Sequence, residues 1–248
     1  MNCLLCGEQT LYDLHWQDIW QWRQIEADCL CKKCRATFCQ YPYETNGCSG
    51  CGRLLDGQEV FTTAYYVENM AYCYDCHRWL EQYPSCLVKH TALLVYNESV
   101  REWLYQYKYR ADARLAQAVA PYLCAFYREH SNCTWIVLPS SPKSIEERGF
   151  HATGYLLDRA EIPYICPFEY IGDGRKQARK NRQERLALEQ PFALCADKLA
   201  LASSTQWLIF DDVYTTGATL LKAKELLYAC VPDKTQVSSV SLARDTLQ

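Results

Sequence analysis

The sequence predicts an α/β protein: a mostly parallel sheet with helices on both faces, preceded by a small cysteine-rich metal-binding module. Three observations carry this. Four Cys-x-x-Cys pairs crowd the first eighty residues. After residue 88, short apolar runs alternate with segments of helical periodicity. Such alternation favours a parallel sheet, because each crossover between parallel strands needs a helix to bring the chain back.

Bulk composition narrows the class. The chain has 248 residues, 49% of them hydrophobic and 22% charged, which excludes disordered and fibrous classes. Its net charge of −3 gives no global basic signal, so a nucleic-acid partner would need a local patch. The opening MNCLLCGEQT lacks a basic region followed by an apolar core, and runs such as Ala92 to Tyr96 are too short to span a bilayer. The expected compartment is therefore the cytosol. There, clustered cysteines bind metal more often than they form disulfides.

The chain divides near residue 88. Residues 1–88 hold few long apolar segments and eleven acidic against six basic side chains, so this part needs metal staples and offers a poor electrostatic grip on DNA. Residues 89–248 form the α/β domain. Within the module, Cys3, Cys6, Cys31 and Cys34 would make one four-thiolate site. Cys48, Cys51, Cys73 and Cys76 would make a second. Each pair turns the chain so that both sulfurs face one point, and two pairs complete a tetrahedron suited to zinc. Cys29, Cys39 and His77 stand close enough in sequence to substitute. Four thiolates leave no open position, so the sites are structural. Cys86, Cys124, Cys133, Cys166, Cys195 and Cys230 read as buried or partly buried thiols.

In the second part, Thr91 to Tyr96 reads as a strand. Ser99 is a candidate cap for a helix carrying Val100, Trp103, Leu104 and Tyr107. A second helix is expected over about 113–128, a strand at Trp135 to Leu138, and a helix over 144–160 started by Ser144, Glu146 and Glu147. Residues 172–206 have the least regular pattern. Trp207 to Phe210 is a strand, a helix follows over about 218–229, and Val237 to Leu242 closes the series.

The string WLIFDDVYTTGATL, Trp207 to Leu220, carries the chemistry. A turn entering a helix at the carboxyl end of a parallel strand is an anion site. Gly217 lets backbone approach a phosphate, Thr215, Thr216 and Thr219 supply hydroxyls, and the amides from Gly217 and Ala218 onward supply fixed donors. Asp211 and Asp212 suit sugar hydroxyls, or a divalent ion such as Mg²⁺. This string resembles the phosphoribosyl pyrophosphate loop of type I phosphoribosyltransferases. The resemblance implies that fold for residues 89–248 and makes 211, 212 and 215–219 its ligand residues.

Tyr107-Lys108-Tyr109-Arg110 and Arg148-Gly149-Phe150 extend the match. In the order double cysteine module, YKY, RGF, DDVYTTGAT, the chain resembles the ComF family of competence proteins over almost its whole length. His151 and Leu188 stand where that family has Asn. The resemblance implies a late competence protein required for natural transformation. It would handle incoming single-stranded DNA on the cytosolic side, at the inner face of the membrane through partners. Those partners would be the competence DNA translocase and single-strand-processing proteins. Zinc is implied as a structural cofactor, whereas a transferase reaction is not.

Candidate DNA contacts are Lys108, Lys143, Arg148 and the basic run Arg175, Lys176, Arg179, Lys180, Arg182 and Arg185, which could track a phosphate backbone. The same run fits a solvated face, or a mobile segment over a phosphoribosyltransferase site. Tyr107, Tyr109 and Phe150 are candidate stacking surfaces for unpaired bases, or core aromatics. Two alternatives stay open: an active phosphoribosyltransferase using phosphoribosyl pyrophosphate and Mg²⁺, and a zinc-module scaffold for the uptake machinery.

Overall fold

A computed structural model describes residues 2–10, 28–42, 46–84, 89–172, 190–202, 204–230 and 235–245. The basic run from Arg175 to Arg185, with Gln177, lies outside the described residues, as do Leu188, His15 and Cys86.

The centre is a four-stranded parallel sheet of order β3-β8-β7-β4: β3 (Lys89–Val95), β8 (Gln236–Arg244), β7 (Gln206–Tyr214) and β4 (Thr134–Val137). This is the architecture that the strand–helix alternation predicts. The long crossovers contain α3 (Glu98–Tyr109), a 3₁₀ turn (Ala113–Ala118), α4 (Ala120–Glu129), α5 (Pro142–Arg148), α6 (Ala152–Arg159) and α8 (Ala218–Tyr228). The cysteine module contributes α1 (Lys32–Ala36), a hairpin of β1 (Tyr65–Val67) and β2 (Met70–Tyr72), and α2 (Tyr74–Gln82). A small antiparallel pair, β5 (Phe168–Tyr170) and β6 (Phe192–Leu194), is followed by α7 (Ala196–Leu199). These three elements fall in or beside the stretch whose pattern is least regular.

Period-two alternation sorts β7 onto two cores. Leu208 and Phe210 join Trp135, Val137, Val240 and Leu242 on one side. Trp207 and Ile209 join Ile136, Leu138 and Leu220 on the other. The module contributes to both. Cys3, Leu30 and Phe38 belong to the first core, where Phe38 meets Trp103 edge-on at 6.3 Å. Cys48, Cys51, Cys73, Cys76 and Trp79 belong to the second. The chain between the two knuckles follows the open side of β3: the Tyr41 N–H donates to the Leu93 carbonyl (2.9 Å), and the Val95 N–H to that of Cys39 (3.0 Å). That pairing covers a strand edge that would otherwise offer unpaired backbone groups.

Several boundaries differ from the expected ones. Asn97, not Ser99, caps α3, its side chain accepting from the Val100 N–H at 3.0 Å. The 113–128 segment is a 3₁₀ turn followed by α4, with Pro121 in the first turn of the new helix. The 144–160 helix is two helices. Gly149, at φ 85°, ends α5 in the left-handed region, and the His151 side chain caps α6. Ser141, followed by Pro142, starts α5 instead of Ser144, Glu146 and Glu147. The 207–210 strand extends to Tyr214, which puts Asp211 and Asp212 inside β7.

Candidate functional site

Parallel strands deliver their carboxyl ends to one edge of the sheet, and a cleft of about 520 Å³ opens there. Its floor is the end of β7. One wall is the loop into α8 with the Ser140–Ser141 turn after β4, and the other is α3. Asp211, Asp212, Thr215, Thr216, Ala218, Thr219, Lys108 and Arg148 all line it. Gly217 supports the loop from behind. Its φ of 77° favours glycine, and an added Cβ would stand 2.5 Å from the Tyr214 hydroxyl.

The threonines do not share one role. Thr215 and Thr219 are half-buried on the cleft wall, while Thr216 is buried and its carbonyl accepts a 2.8 Å hydrogen bond from Trp79 Nε1. Trp79 projects from α2, the helix that starts just after Cys73 and carries Cys76 in its first turn. The 215–219 loop is therefore held from below by the helix that follows the second cysteine centre.

The two carboxylates are muted in different ways. Asp212 Oδ2 is paired with Lys108 Nζ, and its Oδ1 accepts from the Val213 N–H at 2.8 Å. Burial pushes the Asp211 carboxyl up to about 7; the Asp212 charge adds to the shift and Lys108 opposes it. Near neutrality Asp211 is thus partly protonated and Asp212 is matched by Lys108, while Glu147 and Asp245 also line the cleft.

Arg148 Nε donates to the Lys108 carbonyl at 3.0 Å, which ties α5 to the end of α3. Lys143 is exposed on α5. His151 Nδ1 accepts from the Gly154 N–H at 2.9 Å, and its Nε2 lies 3.1 Å from both the Leu138 carbonyl and the Ser140 N–H. Burial holds this histidine below its usual pKa. Tyr107 is buried in the first core, stacked on Trp103 at 5.4 Å, with its hydroxyl on the Ala152 carbonyl at 2.6 Å. Phe150 packs against the same core. Both are thus core aromatics rather than open stacking surfaces. Tyr109 is exposed, and beside it stands Tyr105, which the sequence reading passes over.

The cysteines resolve into two quartets, Cys3/Cys6/Cys31/Cys34 and Cys48/Cys51/Cys73/Cys76, each with its Sγ atoms within 4.8 Å of one another. Cys29, Cys39 and His77 belong to neither. A tetrahedral thiolate site with metal–sulfur bonds of about 2.3 Å needs sulfurs about 3.8 Å apart. Cys6 and Cys31 lie at 3.7 Å, and Cys51 and Cys73 at 3.6 Å. Both quartets fit zinc and could hold it. The second is entirely buried, and Arg244 Nη2 donates to Cys51 Sγ at 3.1 Å, a contact suited to a thiolate. Tyr214 lies between Arg244, 4.8 Å from its ring, and the ring of His90 at 4.0 Å.

Comparison with known proteins decides the family. The competence protein ComFC of Streptococcus pneumoniae is 30% identical over 227 residues, covering 92% of this chain and 93% of that protein. The chain belongs to the ComFC family of competence proteins. The Bacillus subtilis competence protein ComFC is 28% identical over 244 residues, 96% of this chain and 92% of that one. No family model matches. A solved adenine phosphoribosyltransferase from Trypanosoma brucei, in complex with AMP, pyrophosphate and ribose-5-phosphate, aligns over 88% of this chain and 80% of its own. With a TM-score of 0.35 and 11% identity, that likeness is too slight to bear on the fold. A competence-related role follows from the relatives. No helix among the described residues is long and apolar enough to cross a membrane.

Proposed function

We propose that this ComFC-family chain binds incoming single-stranded DNA on the cytosolic side of the uptake machinery during natural transformation, with the loop at 215–219 gripping a phosphate. One observation carries the reading: the start of α8, Lys108 and Arg148 share one cleft whose two carboxylates are muted, Asp211 by burial and Asp212 by Lys108. The basic run 175–185 would extend the grip along the backbone. Structural zinc would fill both quartets and shape the loop's support. The acidic module would face protein partners, the competence DNA translocase and single-strand-processing proteins among them. Anisotropy of zinc-loaded protein with labelled single-stranded and duplex DNA across a salt series tests this. Salt-sensitive binding that prefers single strands is expected, with competition by pyrophosphate. Absence of DNA binding, or indifference to salt, overturns it.

A second reading is favoured by the paired Asp211 and Asp212 at the strand end. There the carboxylates hold a ribose, and a divalent ion such as Mg²⁺, when bound, offsets pyrophosphate charge. Turnover of phosphoribosyl pyrophosphate that disappears with Asp212→Asn would support a transferase. Slow hydrolysis unchanged by that substitution would remove it.

A further inference from the structure

Helix α3 presents two tyrosines one turn apart at the mouth of the cleft. Tyr105 and Tyr109 are 48% and 50% exposed, with ring centroids 5.6 Å apart and planes inclined by 33°. Two half-exposed rings side by side leave flat apolar faces that a ligand can cover. Their neighbours on the helix differ sharply. Trp103 and Tyr107, two residues before each, are fully buried, so α3 turns its other face into the core and cannot rotate to hide the pair. Both exposed rings line the same cleft as Thr215 and Thr219.

Cations frame the pair. The Arg110 guanidinium lies 5.8 Å from the Tyr105 ring centroid, and Arg101 stands one turn before Tyr105 on the same wall. An aromatic ledge with guanidinium groups, continuous with an anion-binding helix start, matches a nucleotide unit: a flat apolar base with a phosphate attached. Duplex DNA buries its base faces, so only an unpaired base can use such a ledge.

We propose that Tyr105 and Tyr109 form a base-stacking subsite that takes an unpaired nucleobase of single-stranded DNA, while the adjoining phosphate reaches the 215–219 loop. The subsite rests on the single-strand reading above and deepens it by assigning the base contact. Stacking on aromatic rings tolerates any base, so the subsite selects strandedness, not sequence.

The test compares a thymidine oligomer with an abasic oligomer of equal length, by anisotropy, using full-length zinc-loaded protein. The wild-type chain is expected to prefer the thymidine oligomer by about tenfold, the scale of one or two stacked bases. Tyr105→Leu/Tyr109→Leu removes that preference and leaves abasic binding unchanged; Tyr105→Phe/Tyr109→Phe restores it. Unchanged abasic binding also shows that the double Leu variant is folded. Equal affinity of the wild type for the two oligomers, or a preference that survives in the Leu variant, overturns the subsite while DNA binding stands. If neither oligomer binds the wild type, the single-strand reading falls and the subsite with it.

Discussion

The two cysteine centres have the same ligands and opposite surroundings. The first keeps Cys6 exposed and Cys31 and Cys34 half-covered. Its surroundings lean on α3, where Phe38 meets Trp103 and the capping Asn97 side chain donates to the Thr37 carbonyl at 2.7 Å. The second buries all four thiols. It is also bonded to distant parts of the chain: Cys51 to Arg244 at the end of β8, and Trp79 of the following helix to Thr216 in the 215–219 loop. A metal knuckle can thus serve as a surface clasp or as a foundation, and the difference lies in what touches it rather than in the ligands.

The sharpest break in this comparison comes from removing one thiol at each centre. Cys73→Ser in the buried quartet is expected to abolish folding, because a structural metal contributes on the order of 10 kcal/mol, comparable to the net stability of a whole domain. Cys6→Ser is expected to leave a folded chain that melts roughly 5–10 °C lower. Zinc content together with thermal unfolding reads both. Equal damage at the two centres would erase the distinction.

A smaller effect sharpens it. Trp79→Phe keeps an aromatic side chain but removes the hydrogen bond to the Thr216 carbonyl. Both metals should be retained, while affinity for pyrophosphate falls about two- to tenfold, the worth of one net hydrogen bond. Calorimetric titration with metal analysis separates loop positioning from simple unfolding, since unfolding would lower both readings.

The smallest effect is expected in the difference between two histidines on acidification. His90 lies on the second-centre side between Ser239 and Ser241, and burial holds it neutral, well below its ordinary pKa. His151, on the cleft side of the sheet, is held below its ordinary pKa by the same cause. For each, the unfolded chain takes up a proton as pH drops below about 6.5 while the folded chain does not. Stability is therefore full above that pH and falls on acidification, by at most about 1.4 kcal/mol per pH unit for each proton. His90→Gln should flatten the fall more than His151→Asn in urea melts between pH 7 and pH 5. The opposite order would shift the acid-sensitive face to the cleft side.

Local pattern reached some of this architecture and distance hid the rest. The parallel sheet was legible because apolar runs such as Trp135–Leu138 and Trp207–Phe210 are short and bounded, with helical spacing between them. The cysteine pairs were legible because a knuckle is a local motif. The break at Gly149 was missed although Gly followed by a capping side chain signals it; the apolar positions beyond it stayed in helical phase. Ser141 before Pro142 likewise carried a start signal that the acidic pair at 146–147 outweighed. Trp79 and Arg244 left no local trace. Each acts on a partner more than one hundred residues away, 137 and 193 respectively, and nothing near either marks the contact. Tyr105 was passed over because helical spacing alone does not say which of two aromatic stripes on α3 faces the core.

The bond between Arg244 and Cys51 also sets an order in time. The thiol leaves the ribosome 193 residues before its guanidinium partner. At roughly 5–20 residues per second, that interval is about 10–40 s. For most of it the Cys48–Cys76 segment exists as a metal-ready knuckle without β7, β8 and Trp79's carbonyl partner. Zinc captured in that interval would protect four reactive sulfurs until the far end of the chain arrives to close over them.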